Sequence, residues 1–189
     1  MIRSIIALIS ATQALVIMSY FALSFNSGPT VSSLLFSNDT YRGILMTCVV
    51  LQITLSSVHV CYHKGLHVVP ELLLVTALVS WVTLNVVYED ENGKMLPAHA
   101  VAAACFIASC CIYLVILFIE SVNDEPMILD LLYVSGCCII IALVATIATV
   151  TCFLTNSSET WIFEHAAFAL FSTTHAILFS IGESRALLR

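Results

Sequence analysis

Six apolar runs, each long enough to cross a membrane, divide this chain and leave little sequence for anything else. A helix needs about 20 apolar residues to cross a hydrocarbon core of about 30 Å. We predict spans over residues 4–25, 44–62, 68–87, 97–120, 129–154 and 161–181. Charged residues make up 10% of the 189 residues, against about 25% in a soluble domain. The expected fold is therefore an all-α, polytopic membrane protein: one domain over residues 1–189, with six transmembrane helices in a single bundle.

The first run is interpreted as a retained span, although its start resembles a signal peptide. Arg3 precedes an apolar stretch that continues to Phe25, longer than the apolar core of about 7–15 residues in a signal peptide. A cleavage site with two small residues around one variable residue is not evident either. We therefore count this run as the first membrane span.

Two independent signals predict that both termini are cytosolic. Positively charged residues collect on the cytosolic side of membrane proteins. With the amino terminus inside, that side holds Arg3, Lys64, Arg185 and Arg189, and the opposite side holds Arg42 and Lys94. The sequons at Asn38 and Asn156 then both lie on the non-cytosolic side. Because Asn156 is very close to the membrane, Asn38 is the predicted glycosylation site.

The charge balance and the cysteines exclude several classes of partner and cofactor. A net charge of −6 provides no basic stripe to neutralise phosphates, so no nucleic acid is expected as a partner. The eight cysteines lie within the apolar runs or at their ends, as small apolar residues do. His59, His63, His67 and Glu71 recur every fourth residue, but Lys64 and Gly65 interrupt their helix. We predict no metal and no other cofactor.

The fourth span, Pro97–Glu120, is expected to form the packing centre of the bundle. Its series of alanine, serine and cysteine residues is typical of helices whose backbones approach a neighbour closely. Ala102, Ala103 and Ser109 are the predicted packing positions on this span. Gly136 marks a similar small-residue face on the fifth span, which we expect to pack against the fourth.

Three ionisable residues at the non-cytosolic ends of spans four and six are the candidate binding residues. A charge at the bilayer centre costs at least about 2.5–3.5 kcal/mol, so such residues need a partner, an interfacial position or a role. His99 opens span four, and Glu164 with His165 lies about one turn into span six. We predict a hydrogen bond between His99 and Glu164. It is either a structural clamp or part of a site that binds a lipid headgroup, a partner protein or a proton.

Catalysis has no positive signal in the sequence. A nucleophile elbow, a zinc-binding H-E-x-x-H motif, a glycine-rich phosphate loop and a Ser/His/Asp set in plausible register are all missing. His175 lies deeper in span six, where Ser172, Thr173 and Thr174 offer local hydroxyl partners. It is interpreted as a packing histidine, and no catalytic residue is predicted.

The fourth span carries the pattern H-x-x-(G/A)-A-x-x-F-x-x-(small)-x-x-x-Y, through His99, Ala102, Ala103, Phe106, Ser109 and Tyr113. Together with six short spans and a last span beginning near Trp161, Glu164 and His165, it resembles the DRAM/Frag/Sfk family of endomembrane proteins. The resemblance implies a non-enzymatic modulator of lipid handling or autophagy that binds membrane lipids or partner proteins. It also implies an integral protein of the lysosome, the Golgi or the plasma membrane.

Two other functions remain open. Short loops and small-residue faces on spans four and five would also suit an accessory subunit of a larger membrane complex, such as a channel or transporter. A metal-dependent lipid hydrolase acting within the membrane, through the histidines, is the third hypothesis.

Overall fold

A computed structural model of the chain describes residues 1–23, 30–64, 68–87, 97–124, 129–155 and 160–188. This part of the chain forms helices α1 (Ile2–Leu23), α2 (Val31–Ser37), α3 (Asp39–Lys64), α4 (Val68–Val86), α5 (Pro97–Asp124), α6 (Leu129–Leu154) and α7 (Thr160–Leu188). All except α2 are long and apolar enough to cross a membrane. The prediction of an all-helical protein with six membrane-spanning helices is confirmed, whereas the cytosolic placement of the termini stays a prediction.

The stretch between the first two predicted spans, residues 26–43, was expected to be a polar loop, which is wrong from residue 31 onward. Residues 31–37 form α2, and α3 begins at Asp39, five residues before the predicted span. Two side chains satisfy backbone N–H groups that the starts of helices leave unpaired. The Thr30 hydroxyl accepts from the N–H of Ser33 at 3.0 Å, and Asn38 Oδ1 accepts from the N–H of Tyr41 at 2.9 Å.

The six long helices form a closed ring. α1 packs on α3 and α7, α3 packs on α4, α4 on α5, α5 on α6, and α6 on α7. α5 also contacts α7 across the ring, so little open space remains inside it. α2 contacts α3, α4 and α7 at one end of the bundle, where α1, α4 and α6 finish. We call this end the α2 end, and the opposite end, with Ile2, the terminal end.

Aromatic rings fill the interior of the half nearer the α2 end. Trp81 on α4 is fully buried, and its ring centroid lies 5.0 Å from that of Phe106 on α5 and 6.3 Å from that of Phe168 on α7. The rings of Phe106 and Phe168 stack at 5.9 Å. Dispersion contacts of this kind hold helices together where lipid tails are as apolar as the side chains.

The most enclosed helix is α7 rather than the expected fourth span, which is α5. A larger share of the α7 membrane span is buried than of any other span. α7 packs extensively on both α1 and α6, whereas α5 packs mainly on α4 and much less on α6. The expectation that Pro97–Glu120 forms the packing centre is therefore wrong, because small residues permit close approach without determining which helix has most neighbours.

The predicted packing residues lie on the inward side of their helices or between neighbouring helices. Ala102 and Ser109 are buried, and Ala103 packs against the core from a half-buried position. Gly136 on α6 lies against Phe118 of α5, where an added Cβ would come within 3.2 Å of the Phe118 Cζ. Gly136 thus lets α6 approach α5 at this point.

Candidate functional site

His99 joins the start of α5 to the end of α4. Its side chain is buried, and its Nδ1 lies 2.7 Å from the carbonyl oxygen of Val87, the residue after α4 ends. A carbonyl oxygen only accepts, so the Nδ1–H of His99 is the donor. This hydrogen bond satisfies one of the carbonyl groups that the end of a helix leaves unpaired.

Glu164 joins α7 to α2. Its carboxylate Oε2 accepts a hydrogen bond of 2.9 Å from the N–H of Val31, the first residue of α2. A carboxylate at the start of a helix is stabilised by the N–H groups there and by the positive end of the helix dipole. Glu164 therefore holds α2 against the bundle.

His165 is fully buried, and its ring centroid lies 5.7 Å from that of Phe21 on α1. The three candidate residues thus all lie near the α2 end, but their contacts join different pairs of helices. In the structure His99 is hydrogen-bonded to Val87, and Glu164 is hydrogen-bonded to Val31. The predicted hydrogen bond between His99 and Glu164 stays a prediction.

A cavity of about 60 Å³ lies inside the ring and is lined by all six spanning helices. Its polar lining residues are Gln13, Gln52, Ser56, Ser109, Tyr113, Thr146, Thr149, Glu164, Ser172 and His175. Glu164 and His175 are eleven residues apart on α7, so the cavity extends along about 16 Å of that helix. The cavity therefore connects the level of Glu164 with the middle of the bundle.

Four oxygen atoms on the cavity lining are buried and have no hydrogen-bond partner within the part of the chain that the structure describes. They are Gln13 Oε1, Gln52 Oε1, Ser56 Oγ and Tyr113 Oη. Ser56 and Tyr113 lie close to each other on the cavity lining. Buried polar groups are normally hydrogen-bonded, so this cluster marks the cavity as a candidate site.

Sequence reasoning missed three of these four residues, Gln13, Gln52 and Ser56. A signal was available, because polar side chains inside membrane spans are costly without a partner. Ser10 and Gln13 are three residues apart on α1, and Gln52 and Ser56 are four apart on α3, which are spacings that share one helix face.

Comparison of the chain with protein-family models, curated proteins and solved structures finds no match. The family resemblance therefore stays a prediction. The spacing of the residue pattern on α5 has a physical explanation, since residues three or four apart lie on the same face of a helix. The buried residues of that pattern on α5 are His99, Ala102, Phe106, Ser109 and Tyr113.

Ser10 and His175 form a buried link between α1 and α7. The Ser10 Oγ lies 2.9 Å from the His175 Nδ1 and also donates to the carbonyl oxygen of Ile6 at 2.8 Å. A serine hydroxyl has one proton, so with that proton on Ile6 the Nδ1–H of His175 donates to Ser10. The partner of the His175 Nδ1 is thus on α1 and not one of the local hydroxyls that the sequence suggested, and the hydroxyls of Ser172 and Thr174 donate to backbone carbonyls of α7.

The distance between Ser10 and His175 also suits a nucleophile and its base, but the surroundings of Ser10 do not. Ser10 is fully buried and, unlike His175, does not line the cavity, so a molecule in the cavity does not contact its oxygen. It also lies in the middle of α1, where backbone N–H groups are used within the helix and cannot bind an oxyanion. We therefore interpret the pair as a packing interaction between α1 and α7.

At the terminal end, His59 is engaged by Arg3. The Arg3 Nε donates to the His59 Nε2 at 3.2 Å, so the proton of the neutral imidazole is on Nδ1. The His59 ring also makes an edge contact with Phe179, with centroids 5.5 Å apart. His67 lies outside the described residues. Among the residues that are described, no three His, Cys, Asp or Glu side chains are grouped closely enough to hold a metal ion.

A second depression, of about 470 Å³, lies on the outer surface between α5 and α6. Its lining is formed by apolar residues together with Tyr133, Gly136 and Cys137. Tyr133 and Ile140 are strongly exposed there, so this groove opens toward the hydrocarbon of the bilayer.

Proposed function

We propose that this protein is a non-enzymatic integral membrane modulator of lipid handling or autophagy that acts by binding a lipid or a partner protein. The observation that carries the proposal is the position of Glu164. Its carboxylate binds the first N–H of α2, and the same residue lines the cavity between the helices. A ligand that reaches Glu164 therefore competes with α2 for the same carboxylate.

The binding event would be transmitted through α2. Val31, Leu34 and Leu35 bury this helix in the main core, so its position depends on both apolar packing and the Glu164 contact. His99 and His165 are buried near the same end and support the helices around it. Occupation of the site would shift α2 relative to α3, α4 and α7, which are the helices that it contacts.

We further propose that the protein resides in the lysosomal or Golgi membrane or in the plasma membrane, with both termini in the cytosol. The resemblance of α5 and α7 to endomembrane proteins and the distribution of positive charge support this placement. Imaging of the full chain with a carboxyl-terminal fluorescent tag tests it. A mitochondrial or peroxisomal distribution would contradict it.

The proposed binding role is tested by identifying the lipids that the purified full chain retains, by mass spectrometry after gentle extraction. We expect Glu164→Gln and His99→Ala to lose retained lipid several-fold. Asp39→Asn is the matched control, since Asp39 is exposed at the same end and, among the described residues, pairs with its helix neighbour Arg42. The proposal would be contradicted if all variants retained the same amount of lipid. It would also be contradicted by a hydrolase activity that disappears in His99→Ala.

A second candidate function is an accessory subunit of a larger membrane complex, with a partner helix seated in the groove between α5 and α6. The groove favours this role because it is apolar, lies between two spanning helices and is open on the outer surface of the bundle. Extraction from native membranes in a mild detergent tests it by particle size. Recovery of the chain only as a monomer counts against it.

A further inference from the structure

We propose that the central cavity is a binding site for neutral O–H donors, which hydrogen-bond to Gln13, Gln52, Ser56 and Tyr113. The site lies near the middle of the bundle and does not use the contact between Glu164 and α2. This proposal therefore goes beyond the proposed function, and it is tested independently.

The first step is that four buried oxygens, which have no partner among the described residues, converge on one cavity. Gln13 is on α1, Gln52 and Ser56 are on α3, and Tyr113 is on α5. Gln13, Ser56 and Tyr113 are 5%, 0% and 4% exposed, so the surrounding solvent or lipid does not reach them. Three helices thus place buried polar atoms against the same cavity.

The second step is the cost of leaving such atoms unpaired. A buried polar group without a hydrogen bond costs at least about 1–3 kcal/mol, and more where hydrocarbon surrounds it. Nearby hydroxyls avoid this cost, because those of Ser10, Ser172 and Thr174 all donate to backbone carbonyls of their own helices. Among the residues that the structure describes, the four cavity oxygens have no such hydrogen bond, so we infer that a molecule in the cavity satisfies them.

The third step concerns the chemistry of that molecule. The oxygen of a glutamine amide only accepts, so the ligand must donate protons to Gln13 and Gln52. Ser56 and Tyr113 can donate or accept, which suits O–H groups that do both. A cation is disfavoured, because the four side chains are uncharged and the Glu164 carboxylate is bound to α2 at the other end of the cavity. The Glu71 carboxylate also acts on Tyr113, but the positive charge of Arg3 opposes it.

The fourth step is size. One water needs about 10–15 Å³ of such a cavity, so 60 Å³ holds about four to six water molecules. The remaining walls include Phe106, Phe168 and Phe171, which would instead accept a few carbons beside one hydroxyl. The O–H donors are therefore either a cluster of water molecules or the hydroxyl head of a neutral lipid that enters between the helices.

X-ray hydroxyl-radical labelling of the purified full chain, read residue by residue by mass spectrometry, tests the water source. Tyr113 should be modified several-fold faster than Tyr41. Tyr41 is the matched control because it is also buried and its hydroxyl is also unpartnered among the described residues, but it does not line the cavity. Photo-crosslinking with diazirine-bearing dioleoylglycerol and cholesterol tests the lipid source, with attachment expected within residues 97–124.

The variant that removes both acceptors is Gln13→Leu combined with Gln52→Leu. We expect it to lower the labelling of Tyr113 to that of Tyr41, or to abolish the crosslink, while the midpoint of thermal unfolding stays the same or rises. If this double variant does not fold, Gln52→Leu alone serves, since Gln52 is only half-buried. The proposal is overturned if Tyr113 is neither labelled nor crosslinked in the unmodified chain, or if the acceptor variant retains the full signal.

Discussion

The Glu164 carboxylate on α7 accepts a hydrogen bond of 2.9 Å from the backbone N–H of Val31, 133 residues earlier in the chain. This one contact attaches the short helix α2 to the long helix that is most enclosed in the bundle. It also makes the position of α2 dependent on a side chain that lines the central cavity.

Glu164→Ala should therefore loosen α2. A hydrogen bond to a charged group contributes about 1.5–3 kcal/mol, so backbone hydrogen exchange across Val31–Ser37 should accelerate by about tenfold or more. Hydrogen–deuterium exchange with mass spectrometry measures this change. Asp39→Asn removes only an exposed ion pair within the first turn of α3 and should leave exchange in α2 nearly unchanged. Identical exchange in the two variants would show that Glu164 does not hold α2.

Ser10→Ala should destabilise the bundle by about 1–3 kcal/mol, because it leaves the buried Nδ1–H of His175 without its acceptor. The free energy of unfolding in a denaturing-detergent titration gives the measurement. Thr12→Ala is the control on the same helix, since the Thr12 hydroxyl is exposed and donates only to the carbonyl of Leu8. Equal effects of the two substitutions would contradict an interhelical role for Ser10.

Trp81→Ala should destabilise the bundle by about 2 kcal/mol or more. Truncating a buried aromatic residue in a soluble core costs about 3–5 kcal/mol, but the part that comes from transfer out of water is missing in a membrane. What remains is the lost packing of Trp81 against Phe106 and Phe168. Val79→Ala, at a position 61% exposed on the same helix, should change the unfolding free energy little.

Gly43→Ala and Gly136→Ala should differ in their effect on stability. Alanine is favoured over glycine in a helix by about 1 kcal/mol. At Gly43 nothing lies within 4 Å of an added Cβ, so this gain should appear in full. At Gly136 the Phe118 ring must move first, by a few tenths of an ångström. We expect a smaller gain there or none, and a larger gain at Gly136 than at Gly43 would contradict the packing of α6 on α5.

Asn38 should carry an N-linked glycan if the termini are cytosolic. Its Oδ1 caps α3 through Tyr41, which leaves the Nδ2 as the atom for glycan attachment. Thr40→Ala should abolish the glycan without removing the cap, and the change is read as a mobility shift after glycosidase treatment of protein from cells. Asn38→Ala should abolish the glycan and also weaken the helix start by about 0.5–2 kcal/mol. A chain that carries no glycan at Asn38 would contradict the predicted orientation.

The sequence predicted the spans well and the short helix not at all. The fifth predicted span and α6 have the same limits, 129–154, because a membrane span is recognised from the length and apolarity of one continuous stretch. Residues 31–37 appeared as loop, since they are short and contain several serines. Their helix depends on the Thr30 cap and on Glu164, and the second of these is remote in sequence.

The candidate site was only partly accessible from the sequence. His99 and Glu164 could be predicted from the sequence, because an ionisable residue within a span is energetically costly. In the structure both side chains form hydrogen bonds to backbone groups outside their own helices. Gln13 and Gln52 are uncharged, so they did not stand out, although their oxygens face the same cavity. A buried amide without a hydrogen-bond partner can therefore mark a candidate site in a helix bundle as clearly as a buried charge does.

By itself, the sequence determined that this is an all-helical chain with six spans, because the requirement to cross a hydrocarbon layer acts on each stretch separately. Only the tertiary structure decided which polar groups meet. Ser10 and His175 are 165 residues apart, and their hydrogen bond depends on how α1 and α7 are rotated about their axes. Helices surrounded by lipid are apolar on nearly every face, so their sequences carry little information on that rotation, and interhelical packing and hydrogen bonding determine it.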